Sequence, residues 1–188
     1  MNRRKYLTKE EVMAMLDVAL QSNHGIRNHC LIFMAFRHGF RISELLSIRL
    51  SDIDMMSRQI YIQRMKNGFS TIHPFDDIEQ EVIQRWLNER DLYRSSSESD
   101  LLFISERSGQ LSRKQAWQII RKCGVSSNLK INSHPHMLRH ACGYTLANEG
   151  ADTRLIQDYL GHRNIRHTVR YTQGNSERFL GIMNMMVK

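Results

Sequence analysis

Residues 134–171, HPHMLRHACGYTLANEGADTRLIQDYLGHRNIRHTVRY, carry the pattern from which the fold is read. Pro135 suits the first turn of a helix, where its missing N–H would have had no partner and its φ is already set. That helix runs through Leu138, Ala141, Tyr144, Leu146 and Ala147 to a stop at Gly150. Asp152 or Thr153 caps a second helix through Leu155, Ile156, Tyr159 and Leu160 to Gly161, and a third, shorter one holds Thr168 to Tyr171. His136 and Arg139 stand at i and i+3, so both side chains leave one helix face and can reach the same ligand. A planar guanidinium fits two phosphate oxygens, and a neutral imidazole can take or hold a proton near pH 7. Taken alone, the pair also reads as a surface ion pair beside a packed histidine.

His136 and His140 have the i, i+4 spacing of a zinc-binding HExxH helix, but Met137 stands where the catalytic Glu belongs. No acidic residue is near to complete the coordination, and Arg139 would place a positive charge beside the ion. No metal and no cofactor is expected. His140 is expected to pack inward or to contact a neighbouring backbone.

The chain has 188 residues, 41% of them hydrophobic, enough for one well-buried core and short for two. A single domain over 1–188 is expected. A formal net charge of +8 favours an anionic partner, nucleic acid first, although a merely basic soluble protein has the same composition. Cys30, Cys123 and Cys142 are odd in number and far apart, which speaks against a disulfide framework. No apolar run approaches the roughly 20 residues that span a bilayer, and the N-terminus lacks an apolar segment behind its charges. A cytoplasmic protein without membrane contact is expected.

Upstream, Thr8 and Glu11 have capping-box spacing ahead of a helix over about residues 8–21. The stretch from Arg27 to Phe36 is too apolar for a surface helix and predicts the centre of a helical layer. Ser43 is placed as the cap of a short helix through Leu46, with Arg41 just ahead of it. QIYIQRM and FSTIHPF alternate around Lys66, Asn67 and Gly68 as a hairpin, with Ile48 and its neighbours as an edge strand. Asp76 or Asp77 caps a helix to about Tyr93, RSSSESD reads as a mobile loop, and LLFIS as a short buried strand. Ser112 caps a helix ending at Gly124. After Gly174 the apolar stripe of SERFLGIMNMMVK predicts a tail over 174–188 that docks on a neighbouring protomer.

HxLRH, then LGH, then a tyrosine nine residues beyond that histidine, resemble the catalytic domain of the tyrosine recombinases, the lambda-integrase family. GFRISELLSIRLSDID resembles that family's first arginine motif, and RMKNGFSTIHPF its hairpin lysine motif. The three blocks lie in the family's order over residues 37–171. The resemblance implies an α+β, mainly α-helical catalytic-domain fold with a small antiparallel sheet at one edge. It implies a site made of Arg41, Lys66, His136, Arg139, His162 and the nucleophile Tyr171, with Glu44 in support. It also implies double-stranded DNA with inverted-repeat sites as substrate, a homotetramer in the synaptic complex, accessory DNA-bending proteins and a place at the bacterial nucleoid.

The residue chemistry suits those roles. Two guanidiniums fixed where charge grows on a phosphate stabilise the transition state more than the ground state. A phenol with a normal pKa of about 10 needs a base or a positive field, which His136 and the arginines supply. Lys66, on a hairpin turn, would protonate the departing sugar oxygen. The product implied is a 3'-phosphotyrosine and a free 5'-hydroxyl, formed without ATP or metal. Most members of the family carry a helical core-binding domain ahead of the catalytic one, and none is expected here. In that respect the chain resembles the short recombinases that invert a promoter element in fimbrial phase variation. A DNA-binding regulator of the same fold and a type IB topoisomerase are the alternatives.

Overall fold

The computed structural model describes residues 4, 6–63, 70–173, 175, 178 and 183. Lys66 and nearly all of the 174–188 tail lie outside the described residues, and with them the hairpin-lysine and docking-tail expectations.

The described chain is mainly helical with one small antiparallel sheet, the architecture expected. Helix α1 (Lys9–Leu20) starts on the Thr8–Glu11 capping box and buries Val12, Met15, Leu16 and Ala19. Helix α2 (Gly25–Arg37) is the central layer; Cys30, Leu31, Ile32, Met34 and Ala35 are buried where it meets α1, α4 (Asp77–Arg90) and α6 (Pro135–Asn148). Trp86 of α4 is fully buried, and its indole N–H donates to the Leu102 carbonyl, which satisfies the one polar atom of a large apolar side chain. Helix α5 (Arg113–Ser126) is capped by Ser112 and runs one turn-fragment past Gly124. A second, smaller apolar cluster of Cys142, Ala147, Ile156, Leu160 and Tyr171 lies among α6, α7 (Thr153–Leu160) and α8 (Arg166–Thr172).

Strands β1 (Ile53–Asp54), β2 (Gln59–Ile62) and β3 (Thr71–Pro74) lie in that order, with Ile60 opposite both Ile53 and His73. The edge strand is therefore Ile53–Asp54 and not the Ile48 segment. Ile48 is buried, and its carbonyl accepts from Leu102 N–H in a separate short pairing of Arg49 with Leu101. Ser43 is not a cap either. Helix α3 (Ile42–Leu45) starts from Arg41, whose backbone N–H donates to the Glu44 carboxylate at 2.9 Å. A carboxylate reaching back to the cap N–H does the work assigned to a serine hydroxyl. The serine-rich segment after α4 is not a loose loop. Its Ser95 is buried and donates to the Ser105 carbonyl, and the buried Arg90 guanidinium donates to the Ser99 and Leu101 carbonyls.

Gly39 makes the turn that matters most for the site. It sits at φ +59°, and a Cβ there would lie 2.4 Å from Leu160 Cδ2 and 3.1 Å from Cys142 Sγ. The left-handed turn and the close approach let α2 end against α6 and α7 while the chain swings Arg41 outward.

Candidate active site

Four elements converge on a cavity of about 620 Å3: the start of α3, the start of α5, α6, and the turn from α7 into α8. Arg41, His136, Arg139, His162 and Tyr171 all line it, so the structure brings together five of the six catalytic residues read from the sequence. The sixth, Lys66, lies outside the described residues.

Arg139 is buried on α6. Its guanidinium donates to the Gly39 carbonyl and, at 2.7 Å, to the Leu160 carbonyl, tying the turn after α2 to the end of α7. A buried cation held by backbone dipoles is fixed in place before any ligand arrives. Arg41 is more exposed. Its guanidinium donates to Glu44 Oε1 at 2.7 Å, and because Glu44 also takes the Arg41 backbone N–H, one buried carboxylate orients both ends of the residue. Glu44 thereby holds the Arg41 side chain in place.

His162 follows Gly161, the left-handed cap of α7. Its Nδ1 lies 2.9 Å from the hydroxyl of the fully buried Thr168. Burial, then the charges of Arg139 and Arg41, push its pKa down to about 3, so the ring is neutral at pH 7. With Nδ1 engaged, Nε2 is the atom left for a phosphate oxygen.

Tyr171 is 1% exposed. Its ring lies 6.3 Å from that of His162, nearly parallel, and meets Tyr144 edge-on at 5.1 Å. Gly143 on α6 creates the slot, since a Cβ there would fall 2.6 Å from Tyr171 Cζ. Burial raises the phenol pKa to about 12 despite the charges of Arg139 and Arg170. The phenolic oxygen lies 2.9 Å from His140 Nδ1. His140, expected to pack inward or to meet backbone, instead holds the candidate nucleophile. Burial, with Arg170, His136, Arg139 and His134 around it, lowers its pKa to about 4. His136 is exposed, and its ring faces His134 at 6.3 Å.

Two further groups escaped the sequence reading. Arg113, Arg163 and Arg170 join the cavity lining; the density of basic residues in RHTVRY and its flanks signals the last two, and nothing local signals Arg113 at the start of α5. Behind Arg41, His38, His73 and Glu79 form a buried polar cluster in which His38 Nε2 lies 2.7 Å from Glu79 Oε1 and His38 Nδ1 3.3 Å from His73 Nδ1. This cluster joins the end of α2 to β3 and α4.

Residues 5–178 match the phage integrase family. The chain belongs to that family. Among curated proteins it is 53% identical over 182 residues to the type 1 fimbriae regulatory protein FimE of Escherichia coli strain K12, covering 97% of this chain and 92% of that one. It is 49% identical over 180 residues to the type 1 fimbriae regulatory protein FimB of the same strain, covering 96% and 90%. Its fold matches the XerA recombinase with a TM-score of 0.82 at 24% identity, over 97% of this chain and 65% of that one. It also matches the XerH site-specific recombinase bound to difH substrate with a TM-score of 0.78 at 23% identity, over 93% and 52%. The chain thus spans between about half and two thirds of these solved integrase-family chains and nearly all of the fimbrial ones.

Proposed function

We propose that Tyr171 attacks a DNA phosphodiester held by Arg41, Arg139 and His162, and that the chain uses this chemistry to invert a DNA segment controlling fimbrial expression. The chain is a tyrosine-type site-specific recombinase. The observation that carries the mechanistic reading is the phenolic oxygen of Tyr171 in one cavity with two guanidiniums and a neutral imidazole.

Each group has a part. The fixed guanidinium of Arg139 and the braced one of Arg41 offset charge that grows on the non-bridging oxygens as the phenol adds. His162, neutral at pH 7, donates one N–H to a phosphate oxygen. The phenol is not ionised beforehand, because its pKa lies well above the working pH. Attack joins the Tyr171 oxygen to phosphorus and releases the 5'-oxygen, which takes a proton that Lys66 would supply. The ester keeps the bond energy, so reversal by another 5'-hydroxyl rejoins the strand. The near full-length likeness to two fimbrial regulatory proteins supports phase variation as the setting. Four copies acting on inverted repeats, aided by DNA-bending proteins, complete the reading. Formal charge +8 favours the phosphate backbone, so binding should weaken steeply with salt.

The test is a duplex nicked beside the target phosphate, so that the released fragment diffuses away. The wild-type protein should form a covalent protein–DNA adduct, and Tyr171→Phe should form none. A native protein that binds this duplex without an adduct would sink the reading and favour a non-cleaving regulator.

A further inference from the structure

We propose that His140, and not His136, takes the proton from Tyr171 as its oxygen bonds to phosphorus, an assignment that rests on the strand-transfer reading above. Of the two histidines in HMLRH, only His140 touches the phenol, with Nδ1 at 2.9 Å from the hydroxyl oxygen. His136 is exposed, with its ring beside His134. A base must lie within hydrogen-bond reach of the proton it removes, and geometry comes before pKa in choosing it.

The base role takes one of the two tautomers that the contact allows. A neutral imidazole that accepts at Nδ1 carries its own hydrogen on Nε2. The phenol O–H then points at His140, and the lone pairs of the phenolic oxygen turn away from it toward the cavity, where the arginines lie. A phenol holding its proton against an uncharged base is a poor nucleophile until phosphorus approaches. As the new P–O bond forms, the phenolic oxygen loses electron density and its proton moves to Nδ1, giving an imidazolium. On the other side the P–O bond to the sugar breaks, and that oxygen receives the proton already assigned to Lys66. Religation runs the same transfers backwards, the imidazolium returning its proton to the departing phenol.

The surroundings explain why this happens only with DNA in place. Arg170, His136, Arg139 and His134 all disfavour a charged His140 in the free protein. A phosphate passing to a doubly charged, five-coordinate state in the same cavity supplies the opposite field and stabilises the imidazolium. Gly143 and Tyr144 hold the phenol ring against this partner from the α6 side.

The experiment measures single-turnover adduct formation by the full chain on the nicked duplex, with binding of the same duplex measured in parallel. His140→Ala should bind DNA as the wild type does and form adduct roughly 100-fold more slowly or worse, the lower end of what a positioned base contributes. Added imidazole should restore part of the loss. His140→Asn keeps an acceptor for the phenol but has no useful proton affinity, so it should fold like the wild type and be as slow as the alanine variant. A substrate with sulfur at the 5'-bridging position, which leaves without a proton, should stay slow with both variants. Asn restoring the rate, either variant within a few-fold of the wild type or faster, or rescue by the sulfur substrate would each overturn the assignment. Wild-type protein that forms no adduct would overturn strand transfer and this assignment together, a pattern distinct from the others.

Discussion

The candidate active site has two halves that carry similar charges but are held in place differently. The half built by α6, α7 and α8 anchors most of its groups in the fold: Arg139 is stitched to two backbone carbonyls, Tyr171 is sealed in a slot over Gly143, and His162 leans on buried Thr168, while His136 stays exposed. The half built by the turn after α2 leaves Arg41 partly in solvent and braces it with Glu44, in front of the His38–His73–Glu79 cluster. In the first half one side chain serves both fold and chemistry. In the second, chemistry sits on the surface and stability lies one layer behind it.

Replacing the two arginines should expose that difference most clearly. Arg139→Met and Arg41→Met should each slow adduct formation by roughly 10² to 10³-fold, the usual effect of removing one preorganised donor. Their stabilities should diverge. Arg139→Met leaves the Gly39 and Leu160 carbonyls without their donor, at about 2–4 kcal/mol. Arg41→Met should cost about 1–2 kcal/mol, because Glu44 keeps the Arg41 backbone N–H. Urea unfolding of both variants checks this, and equal losses would mean that the halves are not built differently.

The converse substitution lies behind Arg41. His38→Phe keeps a ring to stack on Phe40 but deprives the fully buried Glu79 carboxylate of its 2.7 Å partner. Arg37 Nε stays 3.6 Å from the other Glu79 oxygen, so the loss should fall below the about 3–5 kcal/mol typical of a buried charge left wholly unpaired. The loss should appear in urea unfolding, while DNA binding at a temperature where the variant is folded stays near the wild-type level. A drop in affinity matching the drop in stability would make the cluster part of the DNA-binding surface.

Acid should act mainly on the α6–α8 half. His140 and His162 are held at about 4 and about 3, against about 6.5 in an unfolded chain. Below pH 6.5 the unfolded chain therefore takes up protons that the folded one refuses. Their contribution is complete above pH 6.5 and is lost progressively as pH falls toward the folded values. Between pH 7.5 and 5, after allowing for partial solvent exposure, the two together should cost on the order of 2 kcal/mol. Urea midpoints across this range check it, and His162→Gln should flatten the slope.

The same contrast explains how much could be read from the chain. Helix starts are local: Thr8 and Ser112 cap and Pro135 opens a helix where the residues indicate, and of the two pairs of candidates Asp76 and Asp152 are the caps. His136, Arg139, His162 and Tyr171 are close in sequence, so spacing brings them together. The Tyr171–His140 bond joins residues 31 apart across two helices, and only their packing over Gly143 creates it. The His38–His73 contact joins a helix end to a strand 35 residues on, and neither histidine stands in a spacing that suggests a partner. Alternation points to Ile48 as the edge because it cannot tell which of two neighbouring apolar segments pairs.

The smallest expected effect concerns the serine-rich segment, where composition suggested mobility and the structure shows tethers. Polar side chains stay mobile when water satisfies them as well as the protein does. Ser95 is different, because it is 2% exposed and donates to a carbonyl of buried Ser105. Ser95→Ala should cost about 1 kcal/mol, the net worth of one buried neutral hydrogen bond, and should speed limited proteolysis within residues 94–100. Asp100→Asn removes the partner of Arg49, but both side chains are more than half exposed. The Leu50 N–H bond to the Asp100 carbonyl remains, so this change should stay within about 0.5 kcal/mol and leave proteolysis unaltered. If Asp100→Asn loosens the segment as much as Ser95→Ala, the surface ion pair holds it and the buried serine does not.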